Sequence, residues 1–192
     1  MIITAASSSV GLAAIRIANG AGAAPIATTQ TSAKKSSLRH AGAAHVIATE
    51  SEDLVAEVMR ITDGRGARIV FDSVVGPQVE TLAQAMSRNG ILFIYGSLSV
   101  QATPFPYGPA ATKALSLRGY TLFELTGDPQ RLRLGRPQDF INGGLEAGQL
   151  KPIIAKTFAF DQIVKAHRYL ESNQQIGKSS SRCPGRAVYS KK

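Results

Sequence analysis

The chain has 192 residues, 44% of them hydrophobic, a size that suits one α/β domain, alone or with an irregular extension. No uncharged apolar run reaches about 18 residues, so we expect no transmembrane helix. No basic segment precedes the apolar start, so we expect no signal peptide. The single cysteine, Cys183, excludes intrachain disulfides and fits a reducing cytoplasm.

The net charge of +9 is concentrated in two short segments. Residues 131–136 carry three arginines, and residues 177–192 carry five basic residues and no acids. Without these eight residues the chain has 14 basic and 13 acidic residues. We therefore expect no broad basic face and no nucleic-acid partner.

Short apolar runs alternate with amphipathic segments through the first half of the chain. The alternation predicts strands at 2–4, 25–29, 45–49, 67–74 and 90–97, and helices at 9–22, 32–42, 51–62 and 77–87. In the first helix the expected buried stripe consists of Val10, Ala13, Ala14 and Ile17. Ser51 is the expected cap of the third helix.

The second half is less regular. It predicts a short helix at 110–116, a sixth strand at 117–123, a helix at 139–150, a strand at 151–160 and a helix at 161–173. For residues 1–176 this order predicts an α/β fold with a doubly wound, Rossmann-like parallel sheet of about six strands and helices on both faces. Residues 177–192 lack a hydrophobic period, and we expect an irregular basic tail there.

The turn after the first strand, AASSSVG, is a weak match to the dinucleotide fingerprint G-x-G-x-x-G. With Gly11 at the third glycine position, Ala6 and Ser8 replace the first two glycines. The backbone N–H groups near Ser9 and Val10 would face a phosphate. An ordinary capped helix is the alternative, but the position of the turn in repeated βα units favours dinucleotide binding.

The end of the second predicted strand indicates which dinucleotide is preferred. An NAD-binding site usually has an acidic residue there, whereas this segment, TTQTSAKK, has none. It offers hydroxyl groups and positive charge instead, from Thr29, Ser32, Lys34, Lys35 and Arg39. This chemistry suits the 2′-phosphate of NADP(H). The alternative is a solvated helix face, which Lys35 and Arg39 could form.

Two further loops follow strands at the same predicted edge of the sheet, Asp72–Gly76 and Tyr95–Ser99. Their small residues allow close approach to a ribose or nicotinamide. Asp72 is either catalytic or a structural cap. The three histidines and one cysteine have no zinc-binding spacing, so no metal site is expected.

The motifs ITAASSSVGLAAIRIANGAGAAPIAT, GARIVFDSVVGP, GILFIYGSLS and AHRYLESNQQIGK resemble the quinone oxidoreductase-like branch of the medium-chain dehydrogenase/reductases. The resemblance covers roughly residues 1–178. It implies zinc-independent hydride transfer from NADPH to a quinone or an α,β-unsaturated carbonyl, with no catalytic residue that we can name. It also implies a homodimer that pairs through the sixth strand.

The resemblance implies roles for residues along the chain. Ser8, Ser9, Val10 and Gly11 would hold the pyrophosphate, and Ser32 and Lys34 would meet the 2′-phosphate near Lys35 and Arg39. The residues expected along the path from adenosine to nicotinamide, and at its far end, are Val74, Gly76, Gly96, Ser97, Leu98, Phe123 and Lys178.

This sequence departs from the family pattern in three places. The GroES-like domain that forms much of the substrate pocket in this family does not precede the turn. SSSRCPGRAVYSKK replaces an apolar strand, and RLRLGRPQD replaces an amphipathic helix segment. We therefore expect the cofactor-binding half of a reductase, and the alternative is a free-standing NADP(H)-binding module, or a truncated remnant, with little catalysis.

Overall fold

The structure, a computed structural model, describes residues 1–122 and 135–183. Its main element is a six-stranded parallel sheet with the strand order β3-β2-β1-β4-β5-β6. The strands of this sheet are β1 Ile2–Ile3, β2 Ile26–Thr29, β3 His45–Ala48, β4 Ala67–Asp72, β5 Met86–Ile94 and β6 Ser116–Gly119. The chain reverses its direction of progress across the sheet between β1 and β4, which is the position where doubly wound folds bind ligands.

Helices connect the strands and continue the chain beyond them. They are α1 Ser9–Gly20, α2 Lys35–His40, α3 Leu54–Ile61, α4 Gln78–Gln84, α5 Tyr107–Lys113, α6 Gly135–Glu146 and α7 Ile163–Glu171. A second, two-stranded parallel sheet pairs β7 Ile154–Ala159 with β8 Lys178–Arg182. None of the helices in the described ranges is long and apolar enough to cross a membrane.

The core lies on both faces of the six-stranded sheet. Ile2 and Ile3, which point to opposite faces of β1, are both fully buried. One apolar cluster packs Ile2 against residues of α3 and α4, and the other packs Ile3 against residues of α1 and α2. The predicted doubly wound sheet with helices on both faces is therefore confirmed.

Two local predictions were wrong. The buried face of α1 consists of Gly11, Leu12, Ile15 and Ala18, whereas Val10 is 49% exposed. Small residues all around this helix leave its apolar stripe ambiguous, and the contact of Gly11 with the preceding turn decides the rotation. The cap of α3 is Asp53, whose carboxylate accepts from the Ala56 N–H at 2.9 Å, and not Ser51.

The irregular tail expected from residue 177 is also wrong for its first part. Lys178–Arg182 form β8, although this serine-rich segment has no apolar period, because the backbone of β7 supplies its hydrogen-bond partners. Residues 184–192 lie outside the described part of the chain. The boundary of the nucleotide-binding domain at residue 176 stays a prediction.

Candidate functional site at the carboxyl edge of the sheet

The turn between β1 and α1 is compact. Ala5 has a φ of 43°, in the left-handed region that usually takes glycine, and its carbonyl accepts from the Ser8 N–H at 2.9 Å. Ser8 caps α1, since its Oγ accepts from the Gly11 N–H at 3.0 Å. The next N–H groups, of Ser9 and Val10, have no acceptor within the helix, and both residues are exposed. N–H groups in this position are available to donate hydrogen bonds to an anion.

Gly11 is required by close packing. A Cβ on Gly11 would lie 2.6 Å from the Ala6 Cα and 2.7 Å from the carbonyl oxygens of Ala5 and Ala6. This is the packing role of the third fingerprint glycine, so the structure supports the alignment of the fingerprint on Gly11.

Lys34 lies beside this turn. It ends the short 3-10 turn Ser32–Lys34 after β2, and its Nζ donates to the Ser7 Oγ at 3.2 Å and to the carbonyl oxygen of Asn173. Burial lowers the pKa of the ammonium group. The structure thus places a positive charge from the end of β2 next to the N-terminus of α1.

Lys35 points to another partner. Its Nζ lies 2.8 and 2.7 Å from the two carboxylate oxygens of Glu52, which follows β3. The hydrogen bond from Lys35 is the main cause that lowers the pKa of the Glu52 carboxyl, and the hydrogen bond from the Ala48 N–H lowers it further. The sequence pattern did not predict this ion pair, because the two residues are 17 positions apart.

The other residues predicted around the 2′-phosphate lie near the end of β2. Thr29 is its last residue and is partly exposed, Ser32 is exposed, and Arg39 is exposed in the last turn of α2. No acidic side chain follows β2 directly. Two acids that follow the adjacent strand, β3, come near this edge: Glu50, whose N–H donates to the Gln30 carbonyl at 3.0 Å, and Glu52, which pairs with Lys35.

Asp72 at the end of β4 is a structural cap. Its fully buried carboxylate accepts from the Thr4 Oγ1, from the N–H groups of Val74 and Val75 at 3.0 Å each, and from the Gln78 Nε2 at 3.1 Å. The bond from Thr4 ties the ends of β1 and β4 together at the reversal point of the sheet, and the other three fix the turn that follows β4. Of the two roles left open by the sequence, the geometry therefore favours the cap.

The two predicted loops after β4 and β5 run side by side. The Leu98 N–H donates to the Ser73 carbonyl and the Ser99 N–H donates to the Val74 carbonyl, both at 2.9 Å. Ser97 and Leu98 are exposed, and Leu98 is 68% exposed. The loops thus extend the β4–β5 pairing beyond the sheet and present an apolar side chain to solvent.

Two glycines allow this pairing. Gly76 has a φ of 69°, and a Cβ there would lie 2.4 Å from the Ser99 Oγ. A Cβ on Gly96 would lie 3.1 Å from the Ser73 Cβ. A side chain at Gly76 is opposed by the backbone φ and by Ser99, whereas one at Gly96 would only require Ser73 to shift slightly. Contact of either glycine with a cofactor stays a prediction.

Tyr95 starts the second loop and stacks on Phe71, with ring centroids 3.9 Å apart. Its hydroxyl is buried without a hydrogen bond of normal geometry. Burial is the main cause that raises the pKa of Tyr95, the Ser73 hydroxyl nearby lowers it, and the charge of Asp72 raises it. The phenol is therefore neutral at physiological pH.

The segment before β8 lies against the turn between β1 and α1. The Gly177 N–H donates to the Ser7 carbonyl at 2.8 Å, and Lys178 borders an apolar cavity of about 250 Å³ that Ser9 and Arg16 also line. Lys178 and Ser9, at the start of α1, thus line one cavity, and the implied contact of Lys178 with the far end of a cofactor stays a prediction. Phe123 lies outside the described residues.

Three of these contacts join residues far apart in sequence: Thr4 with Asp72, Lys34 with Asn173, and Ser7 with Gly177. The residue pattern carries no signal for such contacts. In the ranges 1–122 and 135–183, no group of three or more histidine, cysteine or acidic side chains could hold a metal ion.

The strand order, the reversal point and the β1–α1 turn define a Rossmann-like α/β domain of the nucleotide-binding class. The family of zinc-binding dehydrogenases matches residues 9–133, and the chain belongs to this family. The resemblance to the quinone oxidoreductase-like branch is confirmed by the relatives.

Quinone oxidoreductase 1 of Escherichia coli is 30% identical over 183 residues, which are 91% of this chain and 54% of that protein. The 2-haloacrylate reductase of a Burkholderia species is 26% identical over 181 residues, 92% of this chain and 53% of the relative. The chain spans about half the length of the curated relatives it matches.

A solved structure also matches the fold of this chain over about half of its own length. The E. coli quinone oxidoreductase complexed with NADPH superposes with a TM-score of 0.83 at 29% identity, over 93% of this chain and 55% of that chain.

Proposed function

We propose that this chain binds NADP(H) at the carboxyl edge of the six-stranded sheet. The observation that carries the proposal is the position of Lys34, which brings its ammonium group to Ser7, beside the exposed start of α1. One anion site for the pyrophosphate and one positive charge for the 2′-phosphate are thus adjacent. The E. coli relative solved with NADPH supports the choice of nucleotide.

In this proposal each group of residues binds a different part of the cofactor. Ser8, Ser9, Val10 and Gly11 form the turn that holds the pyrophosphate, and the N–H groups of Ser9 and Val10 are its donors, because those of Ser8 and Gly11 bond within the turn. Lys34, together with Ser32 and Arg39, holds the 2′-phosphate. Val74, Gly76, Gly96, Ser97 and Leu98 line the path toward the nicotinamide, with Lys178 at the start of α1. Bound NADPH supplies a hydride, and the protein contributes binding and orientation.

We further propose that the reaction is reduction of a quinone or of an activated alkene such as an α,β-unsaturated carbonyl. The support is the names of the relatives, which are a quinone oxidoreductase and a 2-haloacrylate reductase.

A free-standing NADP(H)-binding module with little catalysis is the second candidate. One observation favours it: Asp72, the acid at the end of β4, is fully occupied by four structural hydrogen bonds. All four donors belong to the fold, so the geometry gives that carboxylate a structural role.

Fluorescence titration of the purified protein with NADPH and with NADH tests the cofactor. We expect tighter binding of NADPH, and Lys34→Glu should weaken NADPH by about tenfold or more while it changes NADH much less, because it reverses the charge at the 2′-phosphate. Arg16→Glu, which reverses a charge on α1, is the matched control for overall charge. Equal effects of Lys34→Glu on both nucleotides would refute the assignment.

Consumption of NADPH with a panel of quinones and enones separates the two candidates. Turnover supports the reductase, and tight binding without turnover supports the module. Failure to bind either nucleotide contradicts both.

We also propose a homodimer that pairs through β6. This strand is the last in the order of the six-stranded sheet and hydrogen-bonds to β5 on one side. An edge strand of this kind can pair with its copy across a two-fold axis. Light scattering of the purified chain should give twice the chain mass, and Leu117→Pro should convert it to monomers.

The proposed location is the cytoplasm. The single cysteine, Cys183, is exposed, and a free thiol is stable in a reducing compartment. Fractionation of cells that express the chain, followed by immunoblotting, should recover it with cytoplasmic markers.

A further inference from the structure

The ion pair of Lys35 and Glu52 lies on the β3 side of the end of β2. The Glu52 Oε2 also accepts from the Ala48 N–H at 2.6 Å, so the carboxylate is held by both a side chain and the backbone. Ala48 pairs in register with Thr29, the last residue of β2. A fixed carboxylate therefore lies one strand away from Thr29, one of the residues predicted around the 2′-phosphate.

Lys34 and Lys35 are neighbours in sequence but serve different sides of β2. Lys34 reaches Ser7 on the β1 side, whereas Lys35 reaches both carboxylate oxygens of Glu52. About a quarter of the Lys35 side chain and a third of the Glu52 side chain are exposed, at 27% and 31%. Glu52 thus already neutralises the charge of Lys35. An anion at the end of β2 would therefore be attracted by Lys34, whereas the Lys35–Glu52 pair has no net charge.

We propose that Glu52 determines nucleotide specificity, and that Lys35 favours NADP(H) by neutralising Glu52 and not by contacting the 2′-phosphate. The inference rests on the proposed NADP(H) site. Without Lys35, the carboxylate would repel a 2′-phosphate and would be free to accept a hydrogen bond from a ribose 2′-hydroxyl, as the acid of NAD-binding sites does. Without Glu52, Lys35 would be free to attract the phosphate.

A double-mutant cycle tests this assignment. The ratio of the Kd for NADPH to the Kd for NADH is measured by fluorescence titration for the wild type, Lys35→Met, Glu52→Gln and the double variant. We expect Lys35→Met to raise the ratio about threefold and Glu52→Gln to lower it about threefold, the size expected for one charge acting across roughly 10 Å of water on a phosphate. The double variant should return to the wild-type ratio within a factor of about 1.5, since both charges are gone.

A direct contact between Lys35 and the 2′-phosphate predicts a different pattern. The double variant would then bind NADPH as weakly as Lys35→Met, because the ligand is missing in both proteins. That result overturns the inference, as does a ratio that none of the variants changes.

Two controls keep the result specific. Glu80→Gln removes a carboxylate from α4, where Glu80 accepts from the Gln84 side chain, and should leave the ratio unchanged. Thermal unfolding checks that each variant folds, and Lys35→Gln replaces Lys35→Met if the latter does not. The changes should shrink in about 1 M salt, because ionic screening shortens the range of the charges.

The outcome for the wild type separates this inference from the proposed function. If the wild type binds neither nucleotide, the proposed site and the inference both fail. If the wild type prefers NADPH but the double variant is not restored, the inference alone fails.

Discussion

Gly11 illustrates how one residue links the turn to the fold. Its N–H donates to the Oγ of Ser8, the residue that caps α1. Its Cα lies so close to Ala6 that an added methyl group would overlap the backbone. The close approach fixes which face of α1 points to the sheet, and it leaves the first N–H groups of the helix exposed. The fingerprint glycine is therefore a packing residue that also shapes the proposed phosphate site.

Gly11→Ala should lower the free energy of unfolding by about 2 kcal/mol, because backbone must shift to admit the Cβ. Urea unfolding measures the change. Gly20→Ala is the control, since a Cβ there meets nothing within 4 Å, and it should leave stability unchanged or raise it by about 0.5 kcal/mol. Equal effects of the two substitutions would contradict the close packing at Gly11.

Asp72 shows the opposite case, in which a polar residue is conspicuous in sequence but structural in the fold. An acid at a strand end is compatible with catalysis or capping, and the residue type does not distinguish them. The structure distinguishes the two roles, because the carboxylate is fully buried and accepts four hydrogen bonds from the fold. Contacts across 68 positions, such as that with Thr4, exist only after β1 and β4 pair.

At the scale of elements, the order of strands and helices was predictable and their local details were less so. Strand positions follow from apolar runs that are buried on both faces of the sheet. Helix caps are harder to predict, since the segment SED before α3 offers more than one candidate. Asp53 is the cap because α3 must begin where it places Leu54 and Val58 in the core.

The cap of α3 gives a direct test of this choice. Asp53→Ala should destabilise the protein by about 1 kcal/mol, because the Ala56 N–H loses its acceptor. Ser51→Ala should stay within about 0.5 kcal/mol, since the Ser51 Oγ makes only a 3.5 Å contact with the Ala48 carbonyl. Thermal or urea unfolding of both variants measures these changes in stability. A larger loss of stability for Ser51→Ala than for Asp53→Ala would contradict the assignment of Asp53 as the cap.

At the scale of the whole molecule, the two sheets differ in burial. Both apolar clusters are built from residues between Ile2 and Leu92, whereas β7 and β8 are mostly exposed and Phe158 is the buried side chain of β7. Ile153 and Ile176 pack against the second cluster, and Gly177 bonds to Ser7. The small sheet is thus attached to the proposed phosphate turn by few contacts.

Native-state hydrogen exchange should therefore resolve two levels of stability. We expect the amides of β7 and β8 to exchange by a local opening of lower free energy than the amides of β4 and β5, which should exchange by global unfolding. Phe158→Ala should speed exchange in β7 and β8 alone, whereas Leu92→Ala should lower global stability by about 3 kcal/mol. Uniform protection across both sheets would contradict this division.

The sequence by itself determined the doubly wound class, the position of the turn between β1 and α1, and the absence of an acid directly after β2. These features are local, since they depend on the period of apolar residues and on a few small side chains. Only the tertiary structure decided that Lys35 is paired with Glu52, that Asp72 is a cap and that Lys178–Arg182 form a strand. Each of these depends on a partner supplied by another strand, and strand pairing brings such partners together only when the sheet has formed.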